Sequence, residues 1–110
     1  MSAPIALLWK DVEGKYLGMN SQALEMFGFT AEQILGKTDH DLFPEELADY
    51  YRKVDKRVMA SKKSEYFLEK AKDKTNKIIE VFVGKKPLLD QDRNVVGIVL
   101  FSHSTNEIPH

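Results

Sequence analysis

The hydrophobic period of this chain changes twice along its length, and that change limits the fold more than any single motif does. Ile5-Ala6-Leu7-Leu8-Trp9-Lys10 is an apolar run of strand length. Asp11-Val12-Glu13-Gly14 follows with the Asp and Gly that suit a tight reversal, so Tyr16 to Met19 reads as the returning strand of a hairpin. In the middle the period becomes helical: Leu47, Tyr51, Val54 and Val58 form a stripe, with Lys53, Asp55, Lys56 and Arg57 largely off it. From Ser64 the pattern returns to strands, Glu65 to Ala71, Ile78 to Leu89 and Val95 to Ser102. Asp73-Lys74-Thr75-Asn76 and Asp90-Gln91-Asp92-Arg93-Asn94 join them at hairpin length. Pro87 lacks an amide hydrogen, which predicts a bulge or an unpaired position inside the second of these strands.

Between the first hairpin and the long helix, short helices are marked by their ends. Asn20 or Ser21 caps a segment over Gln22 to Phe27, and Gly28 stands where a left-handed stop is wanted. Thr30-Ala31-Glu32-Gln33 has the form of a capping box, with Gly36 closing that helix. Asp39 to Phe43 is too short and mixed to assign. Pro44-Glu45-Glu46 opens the long helix, proline preset in the first turn and carboxylates on the positive end of the dipole. Hairpins at both ends and helices between them predict an α+β domain, a mostly antiparallel sheet with its helices on one face.

Charge and composition narrow the function. With 110 residues the chain is sized for one domain, 1–110, whose core runs over about 5–104. Sixteen Lys and Arg against seventeen Asp and Glu, interspersed, give no long-range field to gather phosphate backbones or anionic lipid, so nucleic acid and membrane contact are not expected of this segment. The lack of cysteine removes disulfides, thiolate zinc sites and a cysteine nucleophile, and fits a reducing, cytoplasmic setting. No nucleophile elbow, zinc-protease motif or phosphate loop occurs, so no catalytic residues are assigned.

Three groups of residues together resemble a PAS domain: Lys10-Asp11-x-x-Gly14-Lys15-Tyr16; Asn20-x-x-Ala23-x-x-x-Phe27-Gly28; and Ile34-x-Gly36-Lys37-Thr38-Asp39-x-Asp41-Leu42-Phe43-Pro44. Pro87-Leu88-x-Asp90 and Asn94-Val95-Val96-Gly97-Ile98-Val99 look like the last hairpin of that family. The resemblance implies a five-stranded antiparallel sheet of order 2-1-5-4-3 cupping a pocket with helices. It also implies a sensory or dimerising role in a bacterial signalling protein, attached to a histidine kinase, a diguanylate cyclase or a transcription regulator. Many members leave the last strand through Asp-Ile-Thr, whereas Ser104-Thr105-Asn106 stand there in this chain.

The candidate chemistry follows. Light-sensing members form a flavin–cysteine adduct, which is excluded here for want of the sulfur atom. Haem needs an axial ligand, and His40, His103 and His110 are not on the long helix where the resemblance would put one, so haem is not expected. Asp39, Asp41, Glu45 and Glu46 match no calcium or magnesium spacing and are explained by helix entry, so no metal is assigned. The aromatic residues are either plain core or the walls of a pocket for a small molecule. On the second reading the pocket candidates are Phe43, Tyr51, Val54, Tyr66, Leu68 and Ile98, with the two tyrosine hydroxyls orienting a ligand.

The first and last strands are apolar on both faces. Ile5, Leu7 and Trp9 oppose Ala6 and Leu8, while Val96, Ile98 and Leu100 oppose Val95, Val99 and Phe101. A sheet covered on one side alternates apolar with polar, so the second face is expected to meet a second copy of the chain or a flanking helix, with Leu8, Val95, Val99 and Phe101 as the candidate interface. The remaining alternatives are a ligand-free interaction module and, least favoured by the missing motifs, a small stand-alone enzyme.

Overall fold

The computed structural model describes residues 5–104. The chain runs β1 (Ala6–Asp11), β2 (Tyr16–Met19), α1 (Ser21–Phe27), α2 (Ala31–Ile34), α3 (Asp39–Leu42), α4 (Glu45–Ser61), β3 (Glu65–Lys72), β4 (Ile78–Leu89) and β5 (Val95–Ser104). The sheet has the order β2-β1-β5-β4-β3, and every neighbouring pair is antiparallel. The central strand β5 and its neighbour β1 therefore come from opposite ends of the chain, with Ala6 facing Ser102 and Asp11 facing Gly97. No helix among the described residues is long and apolar enough to cross a membrane.

All three hairpin connections use one device. Asp11 Oδ1 accepts from the backbone of Glu13 and Lys15, Asp73 Oδ1 from Thr75 and Lys77, and Asp90 Oδ1 from Asp92 and Asn94, at 2.9–3.0 Å. Such an Asx turn offers the backbone a closed alternative to continuing the ladder. The fourth residue of each turn is left-handed: Gly14 at φ 88°, Asn76 at φ 72° and Arg93 at φ 65°. Glycine and asparagine tolerate that region, and arginine is the unusual occupant.

The helices are held by their caps. Asn20 Oδ1 accepts from Ala23 N at 2.9 Å and from Leu7 N at 3.0 Å, and the Asn20 amide donates to Ile5 O at 2.9 Å, so one side chain starts α1 and docks it on β1. Thr30 and Gln33 form the expected capping box. Gly36 lies one residue beyond the α2 cap, which is Leu35. The unassigned stretch folds as α3, its entry held by Thr38 N donating to Asp41 Oδ2 at 2.9 Å. Pro44 is the cap residue of α4 itself, and Lys62 ends that helix in the left-handed region.

The core lies between the inner face of the sheet and the helices, around Leu8, Tyr16, Ile34, Val54, Val58, Ile98 and Leu100. On α4 the buried residues are Ala48, Tyr51, Val54, Asp55 and Val58, so the stripe takes in Asp55, read from sequence as lying off it, while Leu47 is only partly buried. Pro87 pairs in register with Ile98, and the irregularity expected there falls between Leu88 and Leu89.

The outer face carries a row of apolar side chains. Leu7 faces Phe101 and Trp9 faces Val99, and the row continues through Gly84 to Tyr66. A Cβ on Gly84 would lie 2.8 Å from both Phe101 and Tyr66, so the missing side chain is what leaves these two rings room over the strand between them.

Candidate functional site

Strand parity carries charge into the core. Ala6, Leu8 and Lys10 of β1 face inward, as do Val81, Val83 and Lys85 of β4 and Glu69 and Ala71 of β3. Helix periodicity does the same for Asp55, which sits between Val54 and Val58 on the buried side of α4. Asp39 opens α3 and points down to the sheet. The result is a chain of alternating charge under the helices. Asp39 Oδ2 and Asp55 Oδ2 each lie 2.6 Å from Lys10 Nζ, Asp55 Oδ1 lies 3.0 Å from Lys85 Nζ, and Lys85 Nζ lies 3.5 Å from Glu69 Oε2. Tyr16 donates its hydroxyl to the other Asp39 oxygen at 2.5 Å.

Lys10, Asp55 and Lys85 are at most 1% exposed, so these are fully desolvated ions that survive only because each holds its partner. Burial would drive Asp55 toward its neutral acid, yet Lys10 and Lys85 together hold its carboxyl below the usual range. Burial would likewise discharge Lys10, and Asp39 and Asp55 overcome it, leaving the ammonium raised. Burial, with Asp39 beside it, pushes the Tyr16 hydroxyl well up. At the far end the balance reverses: burial raises the Glu69 carboxyl, and Lys85, the nearest cation at 3.5 Å, does not offset it.

The Glu69 end opens on a cavity. Its walls are Leu8, Phe27, Phe43, Tyr51, Ala71, Val81, Val83 and Leu100, and its polar groups are Lys10, Tyr16, Glu69 and Ser102. The cavity is small, about 30 Å³ in volume, and its mouth is open to solvent. As it stands it takes a few waters or a very small molecule. Phe27 and Phe43 are only partly buried, and they are the walls that a larger guest would have to displace. They meet edge to face at 5.5 Å, and Phe43 meets Tyr51 in the same way at 5.5 Å. Glu69 Oε2 and Ser102 Oγ are buried without a hydrogen-bond partner among the described residues.

Of the pocket residues expected from sequence, Phe43 and Tyr51 line this cavity. Val54 and Ile98 are buried in the core beside it and do not line it. Tyr66 and Leu68 are corrected: they are 63% and 54% exposed, because β3 turns its even-numbered side chains outward and Glu69 inward. Tyr51 uses its hydroxyl on Lys70 O at 2.8 Å. The expected interface is corrected too. Leu8 is 4% exposed and faces the helices, and its β1 neighbours Leu7 and Trp9 are the ones that pair with Phe101 and Val99. Val95 is partly buried opposite Leu89, beyond the irregularity in β4. The acidic cluster at helix entry is split, Asp39 inward to Lys10 and Asp41 to the cap at Thr38. His110 lies outside the described residues.

Lys10, Asp55, Glu69, Lys85 and Ser102 were not foreseen as a site. The available signal was charge in apolar register: Lys85 repeats the parity of Val81 and Val83, Lys10 that of Ala6 and Leu8, and Asp55 follows Tyr51 by four residues.

A family model described as PAS fold matches residues 1–107. A diguanylate cyclase of Vibrio cholerae is 30% identical over 101 residues, which cover 90% of this chain and 32% of the relative. The chain thus spans about a third of that curated relative's length. Among solved structures, a Vibrio cholerae VqmA–ligand–DNA complex superposes with a TM-score of 0.84 at 20% identity, over 97% of this chain and 48% of the other. A sensory box sensor histidine kinase from Vibrio cholerae superposes with a TM-score of 0.79 at 18% identity, over 93% of this chain and 82% of the other. The expectation that set nucleic acid aside is corrected by the VqmA complex, in which a protein carrying this fold is bound to DNA. Charge balance describes this domain's own surface and does not govern the proteins that carry the fold. The match along nearly the whole sequence, the strand order and the helices over one face lead to one assignment: the chain belongs to the PAS-fold family, sensory modules of signalling proteins that are not themselves catalysts.

Proposed function

We propose that this domain is the input part of a larger signalling protein and senses a small molecule held in the cavity between α1, α4 and the inner face of the sheet. The observation that carries this reading is the position of the cavity against the charge chain. A molecule entering it touches Glu69 and Lys10, and through them bears on Asp39 of α3 and Asp55 of α4. Occupancy therefore biases how α3 and α4 pack on β1 and β4, which is a population shift driven by differential contacts. The ligand present in the VqmA complex, and the sensory part named in the histidine kinase, support a ligand-responsive role.

Native mass spectrometry of the freshly purified domain tests it. The expected result is a co-purifying mass, or a thermal shift in a small-molecule screen, that is lost when Ala71→Leu fills the cavity. An apo mass alone, with no stabilising compound, would sink the reading.

The outer face favours a second, compatible role in binding a protein surface. The row Leu7, Trp9, Val99 and Phe101, with Tyr66 and Phe82 exposed beside it, is an apolar patch of the kind that marks interaction sites. Phe101→Asp is expected to leave the domain folded and to abolish signalling in the parent protein without changing ligand affinity.

A further inference from the structure

The charge chain is unbalanced, and the imbalance sits at the cavity. Asp39, Asp55 and Glu69 supply three carboxylates against the two ammonium groups of Lys10 and Lys85. Both ammonium groups are already engaged: Lys10 has a carboxylate oxygen on either side at 2.6 Å, and Lys85 is held by Asp55 at 3.0 Å. Lys85 gives Glu69 only a 3.5 Å contact, at the outer limit of a hydrogen bond. The surplus acceptor is thus Glu69 Oε2, 8% exposed as a residue and without a hydrogen-bond partner.

Ser102 provides an independent pointer. It follows Ile98 and Leu100 on the inward-facing side of β5, is 5% exposed, lines the same cavity, and its hydroxyl has no partner among the described residues. A buried polar group left unpaired is destabilising, and two in one small cavity call for a common partner. The remaining walls are aromatic and aliphatic, suited to a flat apolar body.

We infer that the cavity selects a small, partly apolar molecule that presents hydrogen-bond donors, an amine or a nitrogen heterocycle bearing N–H, with its donor edge on Glu69 and Ser102, and that it rejects carboxylates and phosphates. This rests on the sensory reading of the same cavity and adds the chemical class. A donor supplies what Glu69 Oε2 and Ser102 Oγ lack, and a cation also offsets the surplus negative charge. An anion would bring a fourth negative group among three carboxylates while both ammonium groups stay committed to Asp39 and Asp55. The alternative of pulling Lys85 away to meet an anion leaves Asp55 with half its partners in a site sealed from water.

The test is an amide-detected NMR titration of the domain with benzylamine and 2-aminopyridine against benzoate, in the wild type and in Glu69→Gln. Glu69→Gln keeps the size and removes the charge, and its dispersed amide spectrum checks that it folds. The expected result is saturable shifts at Glu69, Lys85 and Ser102 with the two donors, little or none with benzoate, and at least tenfold weaker binding of the donors in Glu69→Gln, as charge-assisted bonds imply. Donor affinity unchanged in Glu69→Gln would overturn the assignment of the donor edge. Benzoate binding at these amides in preference to the donors would overturn the chemical class while leaving a sensory cavity standing. If no probe binds at millimolar concentration and Ala71→Leu leaves the domain's small-molecule response unchanged, the class and the cavity fall together.

Discussion

Arg93 and Asp55 are the two residues whose local surroundings make the sharpest demands. Arg93 occupies the left-handed fourth position of the β4–β5 turn, where the equivalent turns place Gly14 and Asn76. An L-residue with a long side chain pays there about 1 kcal/mol that asparagine largely avoids. Arg93→Asn is therefore expected to stabilise the domain by about 0.5–1 kcal/mol, read from the urea midpoint at unchanged slope. Asp55 is the opposite case. Asp55→Ala takes from Lys10 one of its two carboxylates and from Lys85 its close one, leaving Lys85 only the 3.5 Å contact to Glu69, and is expected to cost roughly 3–5 kcal/mol in the same assay. The pH dependence follows from the directions of the shifts. Asp55 is held below its ordinary value, so its contribution is complete above the unfolded aspartate value of about 3.9 and is lost as pH falls through the lower folded value. Glu69 is raised by burial, so the fold favours its protonated form and stability declines as pH rises from the unfolded glutamate value of about 4.3 through the folded one. Melting curves across pH are expected to show both limbs, and Glu69→Gln is expected to flatten the second while sparing the first. None of this was legible residue by residue. A lone Lys10 or Lys85 reads as surface, and only the identity of the face toward which its strand neighbours point shows that it is buried; alternation gives the parity but leaves the face open, which is also why Leu8 was read onto the wrong side.

Among the elements, those with their own start and stop chemistry were legible and those held by distant contacts were not. Asn20, the Thr30–Gln33 box and Gly28 act within a few residues, so α1 and α2 could be placed from them. α3 is four residues long, and what anchors it is Asp39 reaching Lys10 and Tyr16, far apart in sequence. Pro87 likewise kept its register because the neighbouring strand, not the residue alone, decides where the ladder gives way. Asn20 is the element-scale test. Its carbonyl oxygen serves both Ala23 N and Leu7 N, so Asn20→Ala is expected to cost about 2 kcal/mol, the upper end for a cap. Asn20→Asp keeps that oxygen and loses only the bond to Ile5 O, so it is expected to fall between the two in thermal unfolding.

For the whole molecule, the sheet order decides what unfolds together. β5 is flanked on both sides, by β1 and by β4, and its residues Ile98 and Leu100 lie in the main core. Their amides are expected to exchange with solvent only through global unfolding, whereas α2, a four-residue helix that buries Ile34 alone, is expected to open locally; native-state hydrogen exchange against denaturant separates the two. The pairing of Ala6 with Ser102 has a mechanical corollary. Tension applied through the two ends of the domain would not drag β1 and β5 past each other with all their bonds loaded at once. It would peel them apart from one end, a bond at a time, so the domain should yield at low force when pulled by its termini and resist far better when gripped across the ladder.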